Sequence, residues 1–184
     1  MAKTTRKTFL LSELFEKEIE SLEKLEELKS AYHQYFESVI LEIPKMDTLS
    51  HMLWAKRVKL NFGPYENLTF FEMSNRIYSD LVLLEAAKIL FVEHQIKSVM
   101  LKMSNHSGRD LTVIDKNNTE ILGEAFNTAP SYFQGKMRSE LKKFDDGKVG
   151  IIAFNSCGLD NKNNTFLENK KKQYPRVLFI KCKI

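Results

Sequence analysis

The chain has 184 residues, 43% hydrophobic and 28% charged, enough for one well-packed core with a helical extension. Its apolar runs are far shorter than the roughly 20 residues that span a bilayer, and Met1-Ala-Lys-Thr-Thr-Arg-Lys7 leads into no signal-peptide apolar region. No membrane partner and a cytoplasmic location are expected. Net charge is +4, but residues 1–94 hold 12 Lys/Arg against 15 Asp/Glu and residues 95–184 hold 16 against 9, so the halves carry −3 and +7. A basic half suits a polyanion, and equally the surface of a moderately basic soluble protein.

Residues 11 to 41 predict one long amphipathic helix, with Leu11, Phe15, Ile19, Leu22, Leu25, Tyr32, Phe36 and Val39 stepping by three or four. Pro44 ends it. A helix of this length packs within its own chain or serves as an interface with a second copy. Residues 45 to 71 predict a short helix around Leu49 to Lys59 and then a loop. The next helix, about Glu72 to Glu93, carries Ile77, Leu81, Leu84 and Phe91 on one face. Glu85 stands between Leu84 and Ala86, with Val82 and Ile89 a turn to either side. A carboxylate there needs a metal or a basic partner unless it snorkels to water.

From residue 97 the period becomes that of strands. Lys97 to Met103 predicts a strand and Asn105-His106-Ser107-Gly108 a turn. Arg109 to Asp115 and Glu120 to Asn127 then form a hairpin around Lys116-Asn117-Asn118-Thr119. With Asp115 opposite Glu120, Asp110 faces Ala125 and lies diagonal to Glu124, within reach of a shared cation. Solvated hairpin charges are the alternative. A helix from Pro130 or Ser131 through Phe144 buries Phe133, Met137, Leu141 and Phe144, and Asp145-Asp146-Gly147 stops it. Val149 to Phe154 is an apolar strand covered on both faces. Asn163 to Gln173 predicts loop and short helix, with Asn161 to Asn164 mobile, and Arg176 to Cys182 a last strand. Cys157 and Cys182 lack zinc-ligand spacing with His33, His51, His94 or His106 and predict buried thiols.

Helix, three-stranded meander, helix and strand, with Arg109-Asp110 opening the second strand and Glu124-Ala125-Phe126 near the end of the third, resembles the core of the PD-(D/E)XK nuclease superfamily. Restriction endonucleases and many repair nucleases share that core. The resemblance covers about residues 72 to 184 and implies an α/β, restriction endonuclease-like fold: a mixed central sheet flanked by helices. Residues 1–71 would be a helical N-terminal extension packed on that nuclease-like core.

The resemblance also implies a Mg²⁺ site held by Asp110 and Glu124, with Glu85 completing it from the preceding helix. In such enzymes the metal orients and acidifies the attacking water while a lysine assists. Arg109 replaces the motif proline and Phe126 replaces the motif lysine. Some members carry that basic group on the following helix, which points to Lys136, at the border of the face formed by Phe133 and Met137. Lys102, Arg109, Arg138, Lys142 and Lys143 become the phosphate contacts and the loop from Asn155 to Asn164 a groove reader.

The expected activity is Mg²⁺-dependent cleavage of double-stranded DNA, most like a type II restriction enzyme, by a homodimer joined through the long N-terminal helix. The missing lysine leaves open a non-catalytic nucleic-acid-binding or assembly protein of the same fold. A third reading is an α+β domain unrelated to nucleases.

Overall fold

The computed structural model describes residues 11, 14–15, 17–37, 39–103, 108–145 and 147–184. Among these, the helix expected over residues 11 to 41 is interrupted at residues 17–20. Ile19 is extended there: its N–H donates to Val99 O and its carbonyl accepts from Val99 N–H, both at 2.9 Å, so it adds one pairing to a sheet edge. Ser21 Oγ then accepts from Lys24 N–H at 3.1 Å and starts a separate helix, α1 (Leu22–Glu37). The apolar stepping runs through the break because Leu11, Phe15, Ile19, Leu25, Leu28 and Tyr32 all belong to one core. α1 ends at Glu37, short of Pro44, and turns Leu25, Leu28 and Tyr32 into the core of its own chain.

Asp47 caps α2 (Thr48–Arg57) by accepting from Ser50 N–H. Where a loop is expected, a hairpin follows, β1 (Lys59–Phe62) and β2 (Tyr65–Thr69), turning at Gly63 with φ +58°. Glycine takes that left-handed conformation without a Cβ penalty. Thr69 and Glu72 cap each other reciprocally at the start of α3 (Phe70–Glu93). Ile40, Ile43, Leu49, Met52 and Leu53 are exposed around α2.

The main sheet has five strands in the order β3 (Ser98–Leu101), β4 (Leu111–Ile114), β5 (Glu120–Phe126), β6 (Gly150–Asn155) and β7 (Val177–Cys182). β3, β4 and β5 are antiparallel neighbours, while β5–β6 and β6–β7 are parallel. Parallel neighbours need crossovers. These are α4 (Pro130–Leu141), prolonged by a 3₁₀ turn at Lys142–Phe144, and α5 (Asn161–Gln173). Alternation along β6, buried throughout, separates two apolar layers. Ile151 and Ala153 join the layer of α1 and α3; Ile152 and Phe154 join the layer of α4 and α5, with Phe126, Phe133, Met137 and Leu167. The architecture is therefore a mixed α/β sheet between helices.

Other expectations change. Asn161 to Asn164 is the first turn of α5, capped by Asp160, which accepts from Asn163 N–H at 2.7 Å. Asn163 is buried. Its amide donates to Pro130 O at 2.8 Å and Gly158 O at 3.0 Å and accepts from Gln134 Nε2 at 3.1 Å, so it ties the two crossover helices together. Cys182 is buried but Cys157 is exposed. Residues 12, 13, 16 and 38 of the predicted first helix, Asn105 to Ser107 of the predicted turn and Asp146 of the predicted helix stop lie outside the described residues. Among the described residues no helix is long and apolar enough to cross a membrane.

Candidate functional site

The hairpin register decides where the two acids fall. Ile114 pairs with Glu120 and Leu111 with Gly123, one residue away from the predicted pairing, so the same register sets Asp110 across from Glu124 and not from Ala125. The cause is Asp115. Its Oδ1 accepts from Asn117 N–H and Thr119 N–H, both at 2.8 Å, and Asn118 takes φ +60°, so Asp115 belongs to the turn and not to the strand. A one-residue change of register moves side chains between faces; here it brings Asp110 and Glu124 to the same one. The ladder ends at this point, where Asp110 Oδ2 replaces a backbone acceptor and takes Ala125 N–H at 2.9 Å.

Glu124 is 2% exposed. Its Oε1 accepts from Arg109 Nη1 at 2.8 Å, and its Oε2 lies 2.8 Å from Lys143 Nζ. Lys143 Nζ is also 2.7 Å from Glu140 Oε2, and Glu140 Oε1 is 2.5 Å from Lys136 Nζ. The Arg109 guanidinium sits 4.9 Å over the Phe144 ring and donates to Lys143 O at 3.2 Å, which fixes the 3₁₀ turn against the sheet. Three carboxyl groups and three cations thus form one cluster.

Burial is the main force on Asp110 and, with the charge and hydrogen bond of Glu124, lifts its carboxyl to about 7 against the pull of the Ala125 N–H. Burial would also raise Glu140, but the Lys136 and Lys143 ammonium groups outweigh it and hold Glu140 below the usual carboxylate range. The Lys143 ammonium is strengthened in return: burial disfavours its charge, and Glu124 and Glu140 more than offset that.

The cluster opens on a pocket of about 740 Å³ lined also by Lys102 and, from α3, by Asn75, Ser79 and Asp80. Asp80 is 2% exposed and accepts from the Tyr65 hydroxyl and, at 3.3 Å, from the Tyr32 hydroxyl. Burial and Asp80 together push the Tyr32 hydroxyl above its usual range. Glu85, expected to be the third carboxylate, does not line the pocket. Five residues further along α3 it points about 140° away around the helix, toward Cys182, whose thiol burial and Glu85 raise to about 12. Asp80 is the acid that α3 presents. Its sequence signal is its place in the stripe Met73, Ile77, Asp80, Leu84 and Ala87, where every other member is apolar.

The structure divides the predicted basic residues in the same way. Lys136 lines the pocket but pairs with Glu140, its i+4 neighbour, and the lysine beside Glu124 is Lys143, expected only as a phosphate contact. Lys102 also lines the pocket, and Arg109 is spent on Glu124. Arg138 lies 4.9 Å over the Phe166 ring of α5, and neither it nor the exposed Lys142 lines the pocket. Phe126 is 2% exposed, with ring centroids 5.8 Å from Phe133 and 5.9 Å from Phe154, so it belongs to the core layer under α4. Glu140 had a signal of its own, as a charged residue seven positions after Phe133 on the buried side of α4.

Among the described residues no three His, Cys, Asp or Glu side chains form a group able to hold a metal ion. Asp110 and Glu124 nonetheless fit Mg²⁺ in their chemistry. They are a half-buried and a buried carboxyl group in mutual contact, and burial with the charge of Glu124 lifts Asp110 to about 7 although Lys143 pulls the other way. Mg²⁺ is commonly held by one or two protein carboxylates with water or phosphate oxygens completing its shell.

Fold and site define a mixed α/β protein whose central sheet carries a buried and a half-buried carboxyl group side by side at the edge of an open pocket. No family model, no curated protein and no solved structure matches the chain.

Proposed function

We propose that the chain is a Mg²⁺-dependent endonuclease that hydrolyses phosphodiester bonds of double-stranded DNA, with the restriction endonuclease-like arrangement of core elements. The observation that carries this reading is the contact between Asp110, which leads into β4, and Glu124 on β5, with Lys143 Nζ 2.8 Å from Glu124 at the edge of the pocket. Asp110 and Glu124 would hold Mg²⁺, which when bound supplies Lewis-acid polarisation of the phosphate and a more acidic water. Lys143 and Lys136 place two ammonium groups where charge grows on the phosphate oxygens. Lys102 adds a third cation to the pocket wall, suited to a flanking phosphate. Cutting both strands requires two such sites, hence two copies of the chain.

Two observations favour a second reading, a non-catalytic DNA-binding protein of the same architecture: Phe126 is committed to the core, and both oxygens of Glu124 are already ion-paired. Supercoiled plasmid with MgCl₂ separates the two. The nuclease reading expects nicked or linear product from wild type and none from Asp110→Asn or Glu124→Gln. Uncut plasmid together with a duplex shift that weakens steeply with salt establishes the second.

A further inference from the structure

With Phe126 in the core, an ammonium beside the carboxylate pair has to come from another element, and two lysines reach the pocket. Geometry separates them. Lys136 Nζ touches Glu140 at 2.5 Å, whereas Lys143 Nζ bridges Glu140 at 2.7 Å and Glu124 at 2.8 Å. The Glu124 and Glu140 side chains are 3% and 4% exposed and the Lys143 side chain 41%. The carboxylates are fixed in the wall, and the lysine, a point charge on a flexible stem, is the partner able to move. Glu140 Oε2 is buried and has no hydrogen bond of good geometry while Lys143 is shared with Glu124. A buried acceptor in that condition gains from a better-aligned donor.

We propose that Lys143 is an exchangeable counter-ion: it neutralises Glu124 while no divalent cation is bound, and passes to Glu140 when one is. This rests on the metal-binding reading of Asp110 and Glu124 and extends it. Lys143 cannot remain on Glu124 Oε2 once that oxygen ligates a metal, because two cations would then compete for one lone-pair direction. Glu140, on the other side of the ammonium, receives it without a rearrangement of the backbone and keeps it in the pocket. Glu140 is thus a positioning residue, and Lys143 supplies the basic group that Phe126 cannot.

The exchange makes metal affinity respond with opposite signs to two substitutions, an effect that a merely structural role for either residue would not produce. Binding of MnCl₂ alone, without nucleic acid, is measured by calorimetry on the full chain, with thermal melts to verify folding. Lys143→Met removes the competitor and should tighten Mn²⁺ binding roughly five-fold, between the surface and buried limits for an ion pair. Glu140→Gln leaves Lys143 with Glu124 alone and should weaken binding by a similar factor. The double variant should behave like Lys143→Met, and Lys143→Gln replaces that variant if it does not fold. Unchanged or weaker binding by the Lys143 variants, or unchanged or tighter binding by Glu140→Gln, overturns the exchange. If the affinities do not move while wild type still cuts plasmid, the exchange falls and the nuclease reading stands. If neither wild type nor the Lys143 variants bind Mn²⁺, the metal-dependent reading falls and the exchange falls with it.

Discussion

Asp110 and Glu124 meet because Asp115, at the far end of the same hairpin, leaves the strand to accept two backbone N–H groups of the turn. A residue with no part in the site thereby sets the register that makes the site. The meeting has an electrostatic consequence that can be measured without nucleic acid or metal.

Burial and Glu124 raise the Asp110 carboxyl from an ordinary 3.8 to about 7. The folded protein then keeps a proton that the unfolded chain releases, so between about pH 4 and pH 7 stability falls as pH rises. The contribution is full below pH 4 and lost as pH passes 7. In metal-free protein, Asp110→Asn should exceed wild type in stability by about 2 kcal/mol at pH 8, after allowance for partial exposure and coupling, and by much less at pH 4. Urea denaturation at the two pH values reads this; an equal difference at both would take the extra proton away from Asp110.

Restoring the motif lysine should fail. Phe126 contacts Phe133 and Phe154 in the layer beneath α4, so Phe126→Ala should cost about 3–4 kcal/mol by cavity formation. Phe126→Lys, which also buries an ammonium, should cost at least as much and yield no gain in plasmid cleavage. A folded Phe126→Lys protein that cuts faster than wild type would show that this place serves the chemistry after all.

Asp80 and Glu85 should behave differently although both are acids on α3. Asp80→Asn changes the charge on the pocket wall and exchanges a carboxylate acceptor shared by two tyrosine hydroxyls for a weaker neutral amide, so it should lower both cleavage and thermal stability. Glu85→Gln should leave cleavage within about two-fold of wild type, since side chains far from a site rarely couple to it strongly. Comparable losses in the two variants would return Glu85 to the site.

Gly123 tests the packing behind the carboxylates. A Cβ there would lie 2.8 Å from Leu111 Cγ and 3.0 Å from Ile151 Cβ, so Gly123→Ala must displace the Leu111 side chain and crowd Ile151 on the neighbouring strand. The expected cost is about 1–3 kcal/mol, with weaker Mn²⁺ binding. Asn163→Ala should cost a similar amount by freeing the carbonyls of Pro130 and Gly158, and leave the DNA sequence preference of any cleavage unchanged. Altered preference would assign a groove-reading role to that segment.

Much of the sheet and its flanking helices was legible in the residues. The apolar period in Phe133, Met137, Leu141 and Phe144 marks the buried face of α4, and the run Val149 to Phe154 marks the fully covered strand β6. Both signals are local, because a segment's own periodicity reports which of its faces is apolar. The same reasoning failed at Ile19, where two segments facing one core share a stepping pattern that does not show the break between them. It failed also at β1 and β2, each too short for a clear alternation.

The sequence by itself determined that a hairpin brings the segments of Asp110 and Glu124 side by side, that α4 follows them, and that the residue two places after Glu124 is the apolar Phe126. Tertiary structure alone decided that the acids touch, that Asp80 and not Glu85 enters the pocket, and that Lys143 stands beside Glu124 while Lys136 stays on Glu140. The reason is physical. Each of those outcomes depends on how elements distant in the chain cross one another, and a shift of one strand residue or about 140° of helix rotation exchanges one charged side chain for another.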